Sequence, residues 1–157
     1  MKLKGLKLGK LLICMTLLSL VFAFTIGVSA ADEKLNVVMV PKFTGFAYFQ
    51  SAKAGGEMAC EELNADFTYT GTTKADVEGQ VQVFRNLIPQ KPDVVVGAIL
   101  GENAAVPPLK KLMQQGTTVI NYDDDAAPDA RDLYVNMASY KIQAQAMLEC
   151  ALTHAPE

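Results

Sequence analysis

The run VVVGAI at residues 94–99 constrains this chain more than any other feature, because it is continuously apolar and shows no polar alternation. A strand with one wet face alternates apolar and polar residues; one that does not alternate needs cover on both faces, as in the middle of a parallel sheet. Asp93 introduces the run, and shorter strand-like segments flank it at residues 37–40 (VVMV), 67–70 (FTYT), 117–122 (TTVINY) and 133–136 (LYVN). Between them lie helical patterns, so strand and helix alternate about every 25 to 30 residues. That alternation gives a parallel sheet with right-handed crossovers, and the expected fold class is α/β with a doubly wound parallel sheet.

The helices follow from apolar spacing and stop signals. Residues 47–63 carry one pattern, interrupted at Gly55 and Gly56. Thr73 or Asp76 is placed to cap a second helix with Val77, Val81, Phe84, Leu87 and Ile88 on one face, stopped by Pro89 and Pro92. Residues 101–103 read as a loop. Pro107 and Pro108 read as the first turn of a third helix, where proline is tolerated, with Leu109, Leu112 and Met113 inward and Gly116 as its end. A last helical pattern, rich in Ala, Gln and Met, runs from Ser139 to about Thr153.

The first thirty residues follow a different logic. Lys2, Lys4, Lys7 and Lys10 precede an apolar run from Leu11 to Val28, and the small residues Ser29, Ala30 and Ala31 come next, the order of a secretory signal peptide cleaved after Ala30, with an uncleaved membrane anchor the alternative that the length of the run leaves open. Export to the periplasm or cell surface is the expectation. Cys14 lies inside the apolar run behind a bulky Ile13, which disfavours lipid attachment. With those four lysines set aside, 10 basic residues face 17 acidic ones. An acidic chain with no basic run argues against a nucleic-acid partner.

Cys60 and Cys150 fall in helical patterns ninety residues apart; they read as small core residues, with a bridge the minor alternative. One histidine, His154, and no CxxC pair leave no metal or cofactor implied. No GxGxxG or GxxxxGK fingerprint follows the first strand, which disfavours a nucleotide phosphate cradle.

In open parallel sheets ligands bind beyond the carboxyl ends of the strands, near the point where strand order reverses. That selects the loops at residues 41–49, 97–103 and 122–125. The first holds Lys42 with Phe46, Tyr48 and Phe49; the third holds Asp123, Asp124 and Asp125; Asn136 closes the fifth strand. Carboxylates accept paired hydrogen bonds from neighbouring hydroxyls, a lysine donates to a ring or carbonyl oxygen, and aromatic faces cover C–H surface, so the set suits a small hydroxyl-rich molecule. Ligand-binding candidates are Lys42, Phe46, Tyr48, Phe49, Asp123, Asp125 and Asn136. At least one of the three aromatics is expected in the core instead, and among the acids Asp123, first after the strand, is the leading candidate, since the rest of that run reads most simply as a solvated turn. With no Ser/His or Cys/His pair, no catalytic residue is assigned.

These segments resemble the periplasmic sugar-binding proteins of ABC importers. The resemblance rests on the signal peptide, on Val40-Pro41-Lys42-Phe43-Thr44-Gly45 with aromatics at Tyr48 and Phe49, on Gly79-Gln80-Val81-Gln82, on Val106-Pro107-Pro108-Leu109-Lys110-Lys111, on Asn121-Tyr122-Asp123-Asp124-Asp125 and on Tyr134-Val135-Asn136. By these motifs the rhamnose-binding and autoinducer-2-binding (LsrB-type) members are the most similar. The resemblance covers residues 35–150 and implies a type I binding-protein fold. It implies a two-lobed, hinge-closing receptor, monomeric at full length, that captures a sugar-like ligand and delivers it to a membrane permease without chemistry. Lys42 and Asp123 match the family's ligand-contacting lysine and aspartate, and Tyr48 and Phe49 its paired aromatics. Members are roughly twice as long, so the implied organisation is a signal peptide over residues 1–30, a first ligand-binding lobe over 31–138, and a crossover helix over 139–157 belonging to a second lobe that is missing. That helix is expected to leave an apolar face through Ile142, Ala146 and Leu148 without a partner. Two other readings stay open: the sensing lobe of a chemoreceptor, and a secreted carbohydrate-active enzyme using the acidic loop.

Overall fold

Five strands lie side by side in the order β2-β1-β3-β4-β5, every neighbouring pair parallel. They are β1 (Asn36–Val40), β2 (Asp66–Tyr69), β3 (Val94–Gly97), β4 (Thr118–Tyr122) and β5 (Leu133–Val135). This computed structural model describes residues 33–154, and from Lys34 onward the chain forms one compact unit. The signal-peptide reading falls on residues outside that range. The run at 94–99 sits where expected, with β3 at the centre of the sheet, paired Val38 to Val95 on one side and Val95 to Val119 on the other.

The register decides which side chains share a face. Val38, Val40, Val95 and Val119 line one face, and α2 (Val77–Leu87) and α3 (Glu102–Gln114) close over them with Phe84, Leu87, Leu109 and Leu112 to form the larger core. Phe84, Leu109 and Leu112 are fully buried. Against the opposite face, α1 (Ala47–Glu62) packs on β1 and β2, with Phe49 beside Met39, Ala98 and Tyr122. Gly56 is required there: a Cβ at that position would lie 2.8 Å from the Phe67 ring, so only glycine lets α1 approach β2 so closely. Beyond α1 this second face is open, and Leu133 and Val135 on the edge strand are about half exposed.

Several expectations are corrected. The third helix starts at Glu102, not at Pro107, so residues 102 and 103 are helical rather than loop. Pro107 and Pro108 then lie in its interior, where each lacks an N–H for the preceding turn; burial of Ala105, Pro108, Leu109 and Leu112 on one face outweighs that loss. Asp76 occupies the cap position of α2, but its carboxylate makes no capping hydrogen bond, and Val77 is exposed rather than on the buried face. The chain leaves α2 through a 3-10 turn, Ile88–Gln90, and a left-handed Lys91 at φ 49°. Cys60 is buried as expected, but Cys150 is not a core residue: it is exposed on α4 (Tyr140–His154), and both thiols are free. The last strand ends at Val135, which leaves Asn136 just beyond it.

Every residue of α4 is exposed, including Tyr140, Ile142, Met147, Leu148 and Leu152. The uncovered face expected for this helix is therefore present along its whole length. No helix among the described residues is long and apolar enough to cross a membrane.

Phe84 is the side chain that ties α2 to the sheet, lying under Gly97 at the exit of β3. Phe84→Ala is expected to destabilise the chain by ~3–5 kcal/mol, the sum of lost burial and the cavity left behind. Urea unfolding monitored by circular dichroism measures it; a loss under about 1 kcal/mol would show that this core does not hold α2 in place.

Candidate functional site

The strand order places β1 and β3 side by side, and their exits diverge: β1 leads into α1 on one face, while β3 leads into α3 on the other. A crevice opens where they part. Pro41 ends β1 because it has no N–H to give the ladder, and Lys42 follows at the crevice edge. Its side chain is only 18% exposed and reaches across to the exit of β4, where Nζ lies 2.8 Å from Asp123 Oδ2 and 2.5 Å from Asp124 Oδ2. One cation between two carboxylates leaves a net negative charge at the crevice.

Burial by itself would lower the Lys42 pKa, but the hydrogen bonds and charges of Asp123 and Asp124 outweigh it and hold the ammonium above its ordinary value of 10.5. Lys42 is thus fully charged at neutral pH.

Asp123 adopts φ +62°, a left-handed conformation that a non-glycine residue enters only at a cost. The conformation turns the chain sharply at the end of β4, and the Tyr134 hydroxyl from β5 donates to the Asp123 carbonyl at 2.7 Å to hold it. Ile99 N–H, from the exit of β3, donates to the Asp124 carbonyl at 3.1 Å and ties the next residue of the same turn.

Asp125 has a different environment from its two neighbours. Arg131 Nε donates to its two oxygens at 2.7 and 2.9 Å, and Asn121 Nδ2 donates to Oδ1 at 3.0 Å. The guanidinium also lies over the Tyr134 ring, 5.5 Å from its centre. The structure commits this carboxylate to bracing the loop, so Asp125 lines the cleft mainly as part of its frame.

The aromatic residues divide in the same way. Phe49 is 3% exposed and meets Tyr122 edge-on at 6.5 Å, which makes it the core member of the group. Phe43 and Phe46 lie 5.7 Å apart and form the outer wall of a small pocket of about 300 Å3 with Lys42, Tyr48 and Asp123. Phe46 is about half exposed, and Tyr48 is half-buried with its hydroxyl directed to Met137 Sδ. Beyond Tyr48 a larger cleft of about 740 Å3 continues past Asp123 and Tyr134 to Asn136. Lys42, Phe46, Tyr48, Phe49 and Asp123 therefore line one pocket, Phe49 as a core residue at the same time, and Asp125 and Asn136 line the adjoining cleft.

Besides Phe43 in the pocket wall, three side chains of the site were not singled out from sequence. Asp124 read as a solvated turn yet shares Lys42; Arg131 and Tyr134 brace the loop from β5 and the turn before it. Gln80 is the fourth participant, known from sequence only as part of a motif. It lies in α2, 2% exposed, and its amide bonds the main chain at both crevice walls. The signal available was a glutamine on the buried face of an amphipathic helix, where a polar residue requires partners.

With this geometry in place, the comparisons with known proteins can be set beside it. The model of the periplasmic binding protein domain family matches residues 37–156. The chain belongs to that family. Among solved structures it is similar to an LsrB from Clostridium saccharobutylicum in complex with AI-2, at 23% identity and a TM-score of 0.70 over 77% of this chain and 38% of that one. It is also similar to an ABC transporter solute-binding protein from Clostridium phytofermentas with bound L-rhamnose, at 24% identity and a TM-score of 0.72 over 76% of this chain and 37% of that one. A sugar ABC transporter structure from Actinomyces odontolyticus matches at 26% identity with a TM-score of 0.70, over 74% and 38%. The chain thus spans less than two fifths of the length of these structures. Its sheet is the type I binding-protein fold, as the resemblance implied.

The ion triad makes a prediction that needs no ligand. Because the folded pKa of Lys42 is raised, its contribution to stability is complete below 10.5 and is lost as pH rises through the higher folded value. Side-chain NMR of Lys42 should place its titration above 10.5, and Asp123→Asn should move it down. A midpoint at or below the ordinary value in the unaltered chain would show that the triad does not form in solution.

Proposed function

We propose that this chain is the ligand-capturing first lobe of a solute-binding protein serving a sugar-type ABC importer, and that it binds a small neutral polyol of the rhamnose or autoinducer-2 class. The observation that carries this reading is the placement of Lys42 against Asp123 and Asp124 at the crevice where β1 and β3 diverge, beside Phe46 and Tyr48. An ordinary fold position for ligand capture thereby gains donor, acceptor and aromatic surface within one pocket.

Vicinal hydroxyls entering the pocket donate to the outer oxygens of Asp123 while Lys42 donates to a ring or hydroxyl oxygen. The ligand replaces water around an ion triad that already exists, so little side-chain ordering is required on binding. Phe46 and Tyr48 offer apolar ring surface to the ligand's C–H face. The excess negative charge disfavours an anionic ligand. Nothing in this arrangement performs bond chemistry: the carboxylate beyond the triad, Asp125, is held by Arg131 rather than presented as an acid or base.

That the chain spans less than two fifths of the structures it is similar to supports the reading of a second lobe. A receptor that encloses its ligand by hinge closure needs a facing wall, and here the cleft that runs to Asn136 is lined on one side by Tyr140 and Gln143 at the start of α4, a helix whose residues are all exposed. The signal-peptide reading of residues 1–30 supports a receptor outside the cytoplasm, where a permease would receive the ligand.

Calorimetry of the protein carrying both lobes is expected to show L-rhamnose or autoinducer-2 binding that Lys42→Ala and Asp123→Ala each weaken by ~1–3 kcal/mol, the cost of an unpaired polar partner. Unchanged affinity in both variants would sink the site assignment. The 157-residue chain by itself is expected to bind far more weakly, and a micromolar dissociation constant from it would contradict the two-lobed reading.

A further inference from the structure

Gln80 is a buried side chain that the ligand chemistry above does not use. It sits in the first turn of α2, 2% exposed, and all of its hydrogen-bonding capacity for the main chain is directed at the two loops that form the crevice. Nε2 donates to the Pro41 carbonyl at 2.9 Å and to the Ala98 carbonyl at 2.8 Å, and Oε1 accepts from Leu100 N–H at 2.9 Å. Pro41 immediately precedes Lys42. Ala98 and Leu100 flank Ile99, whose N–H donates to the Asp124 carbonyl. Two short paths therefore lead from one amide to the two sides of the ion triad.

We propose that Gln80 is a positioning residue for the ligand site, setting the separation between the Lys42 loop and the Asp123–Asp124 loop by clamping the exits of β1 and β3 together. This inference rests on the reading of the crevice as a ligand site, but its geometry stands without a ligand.

The chemistry explains why an amide is needed. β1 and β3 are paired by the ladder up to Val40 and Gly97, and one further bond, Ala98 N–H to the Val40 carbonyl, carries the pairing past the strand end. After that the loops separate, and their peptide groups must find other partners in a region closed to water. Two carbonyls and one N–H have to be satisfied at once. A glutamine amide offers two donors and an acceptor; an ionised glutamate offers no donor, and an apolar side chain offers nothing. A residue that merely filled volume at this place would not link Lys42 to Asp124.

The test uses the 157-residue chain and two variants, Gln80→Met and Gln80→Glu. With Gln80→Met, the protection of Leu100 N–H from hydrogen exchange is expected to fall by about tenfold or more, and the Lys42 titration to move down toward 10.5. Val95 and Val119 amides in the sheet should keep their protection. Unchanged Lys42 titration together with unchanged Leu100 protection overturns the inference. With Gln80→Glu, the buried carboxyl titrates well above its usual range. The ionised carboxylate keeps the acceptor for Leu100 N–H but loses both donors; lowering the pH through that titration restores one donor to the Pro41 or Ala98 carbonyl. The backbone amide NMR shifts of Lys42 and Ile99, which follow those carbonyls, should therefore move back toward their unaltered values as the carboxyl protonates; a volume-filling role predicts no such recovery. Should both variants fail to fold, the unaltered chain decides: both Gln80 Nε2 protons must be protected from exchange with water, and a freely exchanging side-chain amide overturns the clamp.

Affinity for L-rhamnose or autoinducer-2 in the protein with both lobes separates the two readings. Binding by the unaltered protein that is undiminished by Gln80→Met contradicts the clamp and leaves the ligand reading intact. A displaced Lys42 titration in Gln80→Met, with neither compound bound by the unaltered protein, supports the clamp and removes the ligand reading.

Discussion

The pairing of β1 with β3 is the constraint from which the rest of this structure follows. Had β1 continued to pair only with its neighbours in sequence, all crossovers would lie on one face. Placing β1 between β2 and β3 sends α1 to one face and α2 and α3 to the other. The loops leaving β1 and β3 must then part, and a crevice opens beyond the sheet without any side chain being spent on making it. Lys42, Gln80 and the Asp123 turn all take their meaning from that parting.

The site combines a rigid frame with a small set of accessible polar groups. Peptide hydrogen bonds and braced side chains hold the frame: Gln80 joins the exits of β1 and β3, Ile99 joins β3 to β4, and Tyr134 from β5 and Arg131 from the turn before it secure the β4 turn. Within it, Lys42 and the carboxylates of Asp123 and Asp124 already satisfy one another before any ligand arrives. This division explains why two aspartates separated by one residue differ so much in role. Asp123 faces Lys42 at the pocket, whereas Asp125 points back to Arg131 and Asn121; the left-handed backbone at Asp123 bends the chain between them.

The two faces of the sheet are not equally finished. The side under α2 and α3 is a closed core with fully buried Phe84, Leu109 and Leu112, while the other is covered by α1 over β1 and β2 and left open toward β5. Together with the exposed apolar residues of α4, this openness agrees with a chain that spans less than two fifths of the structures it is similar to.

The sequence by itself determined the layers of the fold and the neighbourhood of the site. A continuous apolar run at 94–99 has only one comfortable place, the centre of a parallel sheet, and Lys42 and the acidic run stand directly after strands whose exits must lie at one edge. It misplaced the start of the third helix because prolines at 107 and 108 locally favour a first turn, and the burial of neighbouring residues that overrides this preference is not a local quantity. It put Cys150 in a core for the same reason: helical periodicity marks an apolar stripe but not what, if anything, packs on it. Only the tertiary structure could separate Asp123 and Asp124 from Asp125, Phe49 from Phe46, and Gln80 from other helical glutamines, because each distinction depends on partners distant in sequence, 18 residues away for Gln80 and 82 for Lys42 with Asp124, or on the sign of one backbone angle. Residue types fixed what chemistry the edge could hold, and three-dimensional contact decided which side chains were free to offer it.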